Sequence, residues 1–245
     1  MVVQTEQRLA VLIDADNASK ASLKVIMDEI AKYGLPTIKH AYGDWAKLSG
    51  WKEVLLEIGA VPVQQYAYTI GKNATDAALI IEAMDILHEN NVEGFVIVSS
   101  DSDFTPLALR LRESGKKVYG IGEKKTPRPF ITACDKFIYV EILLPGQNEE
   151  KLKNDEPASI QVQEIQKRQV SEQTIRFLAQ CILESSGDSG QCLLSAVGNM
   201  ISKKKPDFDS RNYGYSQLSK LFRAIPRFEV GGEGGYVWVK DKEAK

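Results

Sequence analysis

The chain is poor in the residues on which soft-metal and covalent chemistries depend. It has three cysteines and two histidines in 245 residues, and Cys134, Cys181 and Cys192 form no C-x-x-C pair. An odd cysteine count without that spacing argues against a disulfide framework and against a zinc centre, and points to a reducing, cytoplasmic compartment. His40 and His88 fall on an expected strand and near an expected helix end, where each reads as structural. No Ser/His/Asp or Cys/His arrangement is in view, which leaves covalent acyl chemistry without support. Neither G-x-x-x-x-G-K nor G-x-G-x-x-G follows the first strand, so the nucleotide-binding folds marked by those loops lose weight.

Long apolar runs and an excess of one charge are missing too. The N-terminal MVVQTEQRLAVLIDADN has no basic segment before its short apolar run, and Asp14 and Asp16 interrupt that run. Neither a secretory signal nor a transmembrane helix is expected. With 31 basic and 33 acidic residues the net charge is −2, which excludes a uniformly basic nucleic-acid coat protein. Net charge is −3 over 1–145, −1 over 146–168 and +2 over 169–245. A polyanion would therefore meet the C-terminal part first.

What is present is an ordinary globular composition in a chain long enough for two modest domains. Over roughly 9–144, short β-rich runs at 9–13, 36–42, 61–66, 95–98, 117–121 and 137–140 alternate with stretches of helical period. Leu23, Ile26, Met27 and Ile30 mark one apolar stripe, and Ile80, Ala83, Met84 and Leu87 another. Near-continuous runs such as LAVLI and FVIV suit strands buried on both faces. The pattern predicts an α/β domain over 1–146, with a parallel sheet flanked by helices.

The polar segment 147–168, which holds Pro157, reads as a linker. A second domain is expected over 169–245. Its first helix would be capped by Ser171, with Val170 and Ile175 as a hydrophobic staple. Further helices are expected over 192–203 and 215–224, then a hairpin of 227–230 and 236–240 around the turn GGEGG. Three helices closed by a hairpin make a small winged helix-turn-helix.

The informative residues are carboxylates just past strands. Asp14, Asp16 and Asn17 follow the first strand, and Asp101 and Asp103 follow FVIV within SSDSDF. Ligands of open α/β sheets bind beyond the carboxyl ends of strands, where strand order reverses. If those two strands are neighbours there, Asp14 and Asp101 face each other, and Asp76, in the first turn of a helix, comes third. Two unit charges about 4 Å apart repel by roughly 4 kcal/mol at an effective dielectric near 20, so a cation belongs among them. Without His or Cys the ligands are hard oxygens, which favour Mg or Mn. An ion so held can activate water and neutralise the charge developing on a phosphodiester. Plainer readings compete. Asp103, directly before Phe104, Thr105 and Pro106, reads equally well as a helix cap, a cap is the lesser reading for Asp14 and Asp101, and Asp76 suits the positive end of its helix dipole. Asp85 reads as solvent-facing. Ser99, Ser100 and Ser102 read as phosphate donors or as turn residues.

Three motifs in order, VLIDADNAS, GKNATDAALIIEAMDIL and FVIVSSDSDFTPLALRLRESGKKVYGIG, resemble the NYN domain family, a branch of the PIN-like nucleases that includes LabA-like proteins. The likeness covers about 7–142. It implies a PIN-like Rossmannoid sheet and Mg- or Mn-dependent cleavage of RNA, and single-stranded RNA is the expected substrate. By position it implies metal ligation by Asp14, Asp76 and Asp101 and assistance from Asp103. Asn17 matches the family's Asn after the first strand. Phosphate contacts fall to Asn17, Ser100, Ser102 and Lys72. Residues 170–240, above all YGYSQLSKLFRAIPRFEV and YVWVK, resemble the OST-HTH or LOTUS domain, a winged helix linked to RNA and, in some members, to protein partners. Ser216, Lys220, Arg223 and Arg227 then form a polar, basic stripe, its last member depending on whether the helix passes Pro226. Lys203, Lys204 and Lys205 read as ordinary helix-end cations. Tyr213, Tyr215 and Tyr236 read as base stackers or as packing. Two other readings stand beside the ribonuclease: a non-catalytic RNA- or protein-binding regulator, and a haloacid-dehalogenase-type phosphatase with Asp14 as nucleophile. The last lacks its family's Thr or Val at the position of Asn17 and its late acidic pair.

Overall fold

The short runs pair into one sheet whose central strands, the apolar runs LAVLI and FVIV, bury both faces, while the strands toward one edge stay partly exposed. The computed structural model describes residues 6–65, 74–144, 170–186, 190–232 and 236–244, and the chain divides into two units, Met1–Asn148 and Glu149–Lys245. The expected linker at 147–168 lies outside the described residues.

In the first unit β1 (Arg8–Asp14), β2 (Leu35–Gly43), β3 (Val61–Gln64), β4 (Gly94–Val98), β5 (Lys117–Gly122) and β6 (Lys136–Tyr139) lie in the order β3-β2-β1-β4-β5-β6. Every pairing is parallel. Five helices cover the sheet: α1 (Leu23–Ile30), α2 (Lys52–Ile58), α3 (Ala74–Glu89), α4 (Thr105–Glu113) and α5 (Arg128–Ala133). Along β1, Ala10 and Leu12 join the core shared with α3, α4 and α5, while Leu9, Val11 and Ile13 join the core shared with α1 and α2. That period of two feeds both layers, and each of these larger side chains gains about 1.5–3 kcal/mol from burial. From β1 the chain steps outward to β2 and β3, then returns through α3 to β4 on the other side of β1. The reversal opens the crevice between β1 and β4, whose register pairs Ile13 with Val98.

In the second unit α6 (Glu172–Ser185) starts at Ser171, whose hydroxyl accepts from the Thr174 N–H at 3.2 Å. Val170 and Ile175 both pack on the core of this unit. The helix expected from Cys192 begins two residues later, as α7 (Leu194–Lys204), because Gln191–Leu193 forms a strand, β7. The third helix is shorter than expected. A 3-10 turn occupies Ser210–Tyr213 and α8 spans Leu218–Ala224. Strands β8 (Phe228–Gly231) and β9 (Trp238–Asp241) are antiparallel, and β7 joins them in the order β7-β9-β8. No helix among the described residues is long and apolar enough to cross a membrane.

Candidate functional site

Strand β1 delivers Asp14 to the crevice with its side chain fully buried, at 0% exposure. Four donors meet the carboxylate. The N–H groups of Asp16 and Asn17 reach Oδ1 at 3.2 and 3.3 Å, the Asn17 amide reaches Oδ2 at 2.9 Å, and the Ser99 hydroxyl reaches Oδ2 at 2.7 Å. Burial pushes the Asp14 carboxyl above its ordinary range, and the bonds from Ser99 and Asn17 hold it back. A nucleophilic carboxylate must present an oxygen to its substrate. Asp14 presents none, which removes the geometry a phosphatase of the dehalogenase type needs.

Ser99 links the two strands that flank the crevice. It is buried, donates to Asp14 on β1, and accepts from the Asp101 N–H at 3.0 Å. Asp101 in turn accepts from the Asp103 N–H at 2.9 Å and caps the 3-10 turn Ser102–Phe104. The capping expectation for Asp103 is thereby corrected. Asp101 holds the extended conformation an N-cap requires, and Asp103 lies inside the turn.

Helix α3 brings the third acid. Asp76 is in its first turn, and Thr75 beside it donates to Asp16 at 2.9 Å, which ties α3 to the loop after β1. Asp76, Asp101 and Asp103 each offer an oxygen, and the three oxygens lie within 4.8 Å of one another. Asp14 is outside this trio yet acts on it. Burial, then the charges of Asp14, Asp101, Asp103 and Asp16, push Asp76 up to about 6. Three hard oxygens this close together, one of them on a carboxyl that burial and its acidic neighbours keep from ionising, could hold a divalent cation.

The remaining expected residues separate by what their polar atoms do. Asn17 is exposed and spends its amide on Asp14. Ser100 is buried and accepts from the Glu123 N–H at 2.9 Å, which fastens the loop after β5 to the loop after β4. That approach is close: a Cβ on Gly122 would lie 2.5 Å from the Ser99 carbonyl. Ser102 lines a cleft together with Asp76, Asp103 and Thr105. Lys72 lies outside the described residues. His40 contacts Glu82, while His88 and Asp85 are exposed at α3. The part of Ser99 as a buried bridge, and that of Thr75 as a tether, carry no mark in the sequence beyond a hydroxyl near an acid.

In the second unit Lys220 and Arg223 are exposed on α8, and the Lys220 ammonium donates to the Ser216 hydroxyl at 3.0 Å. Arg227 leaves the stripe. The helix ends at Ala224, and the Arg227 fork binds Asp241 at 2.9 and 2.7 Å. Burial raises the Asp241 carboxyl, but the guanidinium more than offsets this and holds it below the usual range. Lys204 pairs with Glu184 at 2.5 Å. Tyr213 stacks on Phe208 and Tyr215 packs on the core, whereas Tyr236 is 80% exposed.

Comparison with known proteins adds independent findings. Residues 8–143 match the NYN domain and residues 166–239 match the OST-HTH/LOTUS domain. An uncharacterized protein of Methanocaldococcus jannaschii is 28% identical over 121 residues, 48% of each chain, so the chain spans about half the length of that relative. A protein of unknown function from Vibrio parahaemolyticus aligns over 56% of this chain and 94% of its own, with 19% identity and a TM-score of 0.47. An uncharacterized protein from Nitrosomonas europaea aligns over 38% of this chain and 93% of its own, with 27% identity and a TM-score of 0.29.

Proposed function

We propose a metal-dependent ribonuclease, proceeding from the fact that this chain belongs to the NYN domain family. NYN domains are nucleases and OST-HTH/LOTUS domains bind RNA, and the two matches occur in one chain. The observation that carries the reading is the meeting of Asp76, Asp101 and Asp103 beyond the carboxyl ends of the strands, with one oxygen of each within 4.8 Å of the others.

In this reading Asp76, Asp101 and Asp103 hold Mg or Mn. When bound, the ion supplies Lewis acidity and offsets the charge that develops on phosphodiester oxygens. Asp14 is assigned a supporting part: it lies outside the trio and accepts from Ser99, Asn17 and Asp16, so it lends negative charge from behind. Asn17 keeps Asp14 oriented, and Ser100 sets the position of the loop after β5. The Ser102 hydroxyl, at the edge of the cleft, orients substrate phosphate, and Lys72 is assigned to the RNA backbone. Lys220 and Arg223 recruit single-stranded RNA to the second unit, whose exposed Tyr236 offers a face for a base. A protein partner on that unit is the second occupant we assign to it. The three buried free thiols agree with a cytoplasmic setting.

The test is cleavage of a labelled single-stranded oligoribonucleotide by the full chain with Mn or Mg, with a chelator as control. Asp101→Asn is expected to lower the rate at least a hundredfold while leaving the fold unchanged by circular dichroism. Full activity in that variant, or cleavage that survives chelation, refutes the assignment. Chelator-insensitive binding with no cleavage across many RNAs would make the protein a binding module instead.

A further inference from the structure

We propose that the cleft between α3 and the starts of α4 and α5 is a subsite for one unpaired nucleobase next to the phosphate being cleaved, an inference that rests on the ribonuclease reading. The cleft, about 550 Å³, is lined by Asp76 and Asp103 at one end and by Ala77, Ile80, Pro106 and Pro129 along its walls. Volumes of this order accept small organic groups. The carboxylates that would hold the ion are therefore continuous with an apolar surface that remains in water: Ala77, Pro106 and Pro129 are exposed and Ile80 is half-buried. The ion-holding end and the apolar walls together match the two halves of a nucleotide, an anionic phosphate beside a flat apolar ring.

The walls are fixed before anything binds. Pro106 and Pro129 have restricted backbones at the starts of their helices, and behind them Phe104 and Phe130 are fully buried with ring centroids 6.5 Å apart. A rigid wall spares the ordering cost of binding. In a duplex the base would be stacked and paired, out of reach of the cleft, so the subsite selects single strands. Thr105 spends its hydroxyl on the Ser102 carbonyl at 2.5 Å, so the walls offer little to read a base edge, and the subsite tolerates any base.

Charge around the cleft sets the course of the backbone. On one side the next face of α3 carries Glu82, Asp85 and Glu89, which repel phosphate. On the other side the loop after β5 exposes Lys124 and Lys125, the latter paired with Glu123 at 2.9 Å, Arg128 is exposed at the start of α5, and the loop is anchored by Thr126, which is buried and donates to the Glu123 carbonyl at 2.6 Å. The strand leaves over that loop.

The test uses the full chain with Mn, a hexauridylate, and versions carrying an abasic residue at each position in turn. For the wild type, removing the base beside the mapped cut is expected to raise KM roughly fivefold or more, the low end of base stacking by side chains, with kcat within twofold. In Ile80→Ala and in Pro129→Ala, each checked for folding by circular dichroism, intact RNA takes the same rise and the abasic RNA no further one. That non-additivity is the signature of direct contact. Penalties that multiply overturn the subsite while leaving the ribonuclease standing. Should the wild type not cut, the same comparison is read by fluorescence anisotropy in magnesium. Coupled losses there keep the subsite and refute only the nuclease, and independent losses refute both.

Discussion

Asp76 sits half-buried among four other acids, and burial together with their charges pushes its carboxyl up to about 6 from an ordinary 3.8. Between those two values the folded chain binds more protons than the unfolded one. The stability this group contributes is complete below 3.8 and is lost as pH rises through about 6. At neutral pH, without a cation, Asp76 is therefore a liability to the fold. Asp76→Asn removes the charge and keeps the shape. The expected outcome at pH 7 in chelator is a gain of about 1 kcal/mol in urea unfolding, after allowance for solvent screening of a partly exposed group, with no gain at pH 4. In the wild type, Mn should raise the melting temperature at pH 7 and progressively less below pH 6, as protons compete for the same oxygens. A stability gap between the two proteins that does not change from pH 4 to 7 would remove this account of Asp76.

At the scale of elements, β1 and β4 were legible because strands buried on both faces leave short apolar runs without polar alternation, while β2 and β3, partly exposed, were legible from β-branched and aromatic residues. Helices α2, α4 and α5 were read only as the stretches of helical period between strands, without a stripe of their own being marked. Asp14, Asp101 and Asp103 were legible from their places after apolar runs, and Asp76 from its place in the first turn of a helix. Their division of labour was not: it depends on Ser99 reaching across to Asp14, 85 residues away, and on Asp101 taking the cap for which the sequence favoured Asp103. The same limit applies to Arg227, which follows α8 in helical spacing but serves the hairpin. Its guanidinium makes a two-bond fork with Asp241, only 4% exposed, and reaches Glu243 at 3.1 Å. Arg227→Ala leaves a buried carboxylate without its cation and is expected to cost the second unit about 2 to 4 kcal/mol. The double variant Arg227→Ala with Asp241→Asn should recover part of that loss. Urea unfolding followed by Trp238 fluorescence in the second unit measures both, and a single-variant loss under 0.5 kcal/mol would show that the fork does not secure the hairpin.

For the whole molecule the question is what a polyanion gains from two units of opposite net charge. The first unit carries its acids at the carboxyl ends of the strands, so phosphate reaches them only where a divalent ion or the basic loop after β5 offsets the repulsion. The second unit has no such barrier on α8, where Lys220 and Arg223 are exposed. Recruitment and cutting are then separable, and a charge reversal on α8 should act on the first alone. Each cation that contacts single-stranded RNA contributes about 0.7 to the slope of log affinity against log salt. If both contact phosphate, Lys220→Glu with Arg223→Glu should flatten that slope by about 1.4. At low salt KM should rise roughly tenfold, while kcat at saturating RNA stays within twofold, because the carboxylate trio belongs wholly to the first unit. Titrations at four salt concentrations between 50 and 300 mM, paired with steady-state kinetics at the lowest, test both parts. An unchanged slope would remove RNA from α8 and leave that surface to a protein partner. A fall in kcat equal to the loss in kcat/KM would mean that the second unit takes part in the cutting step itself.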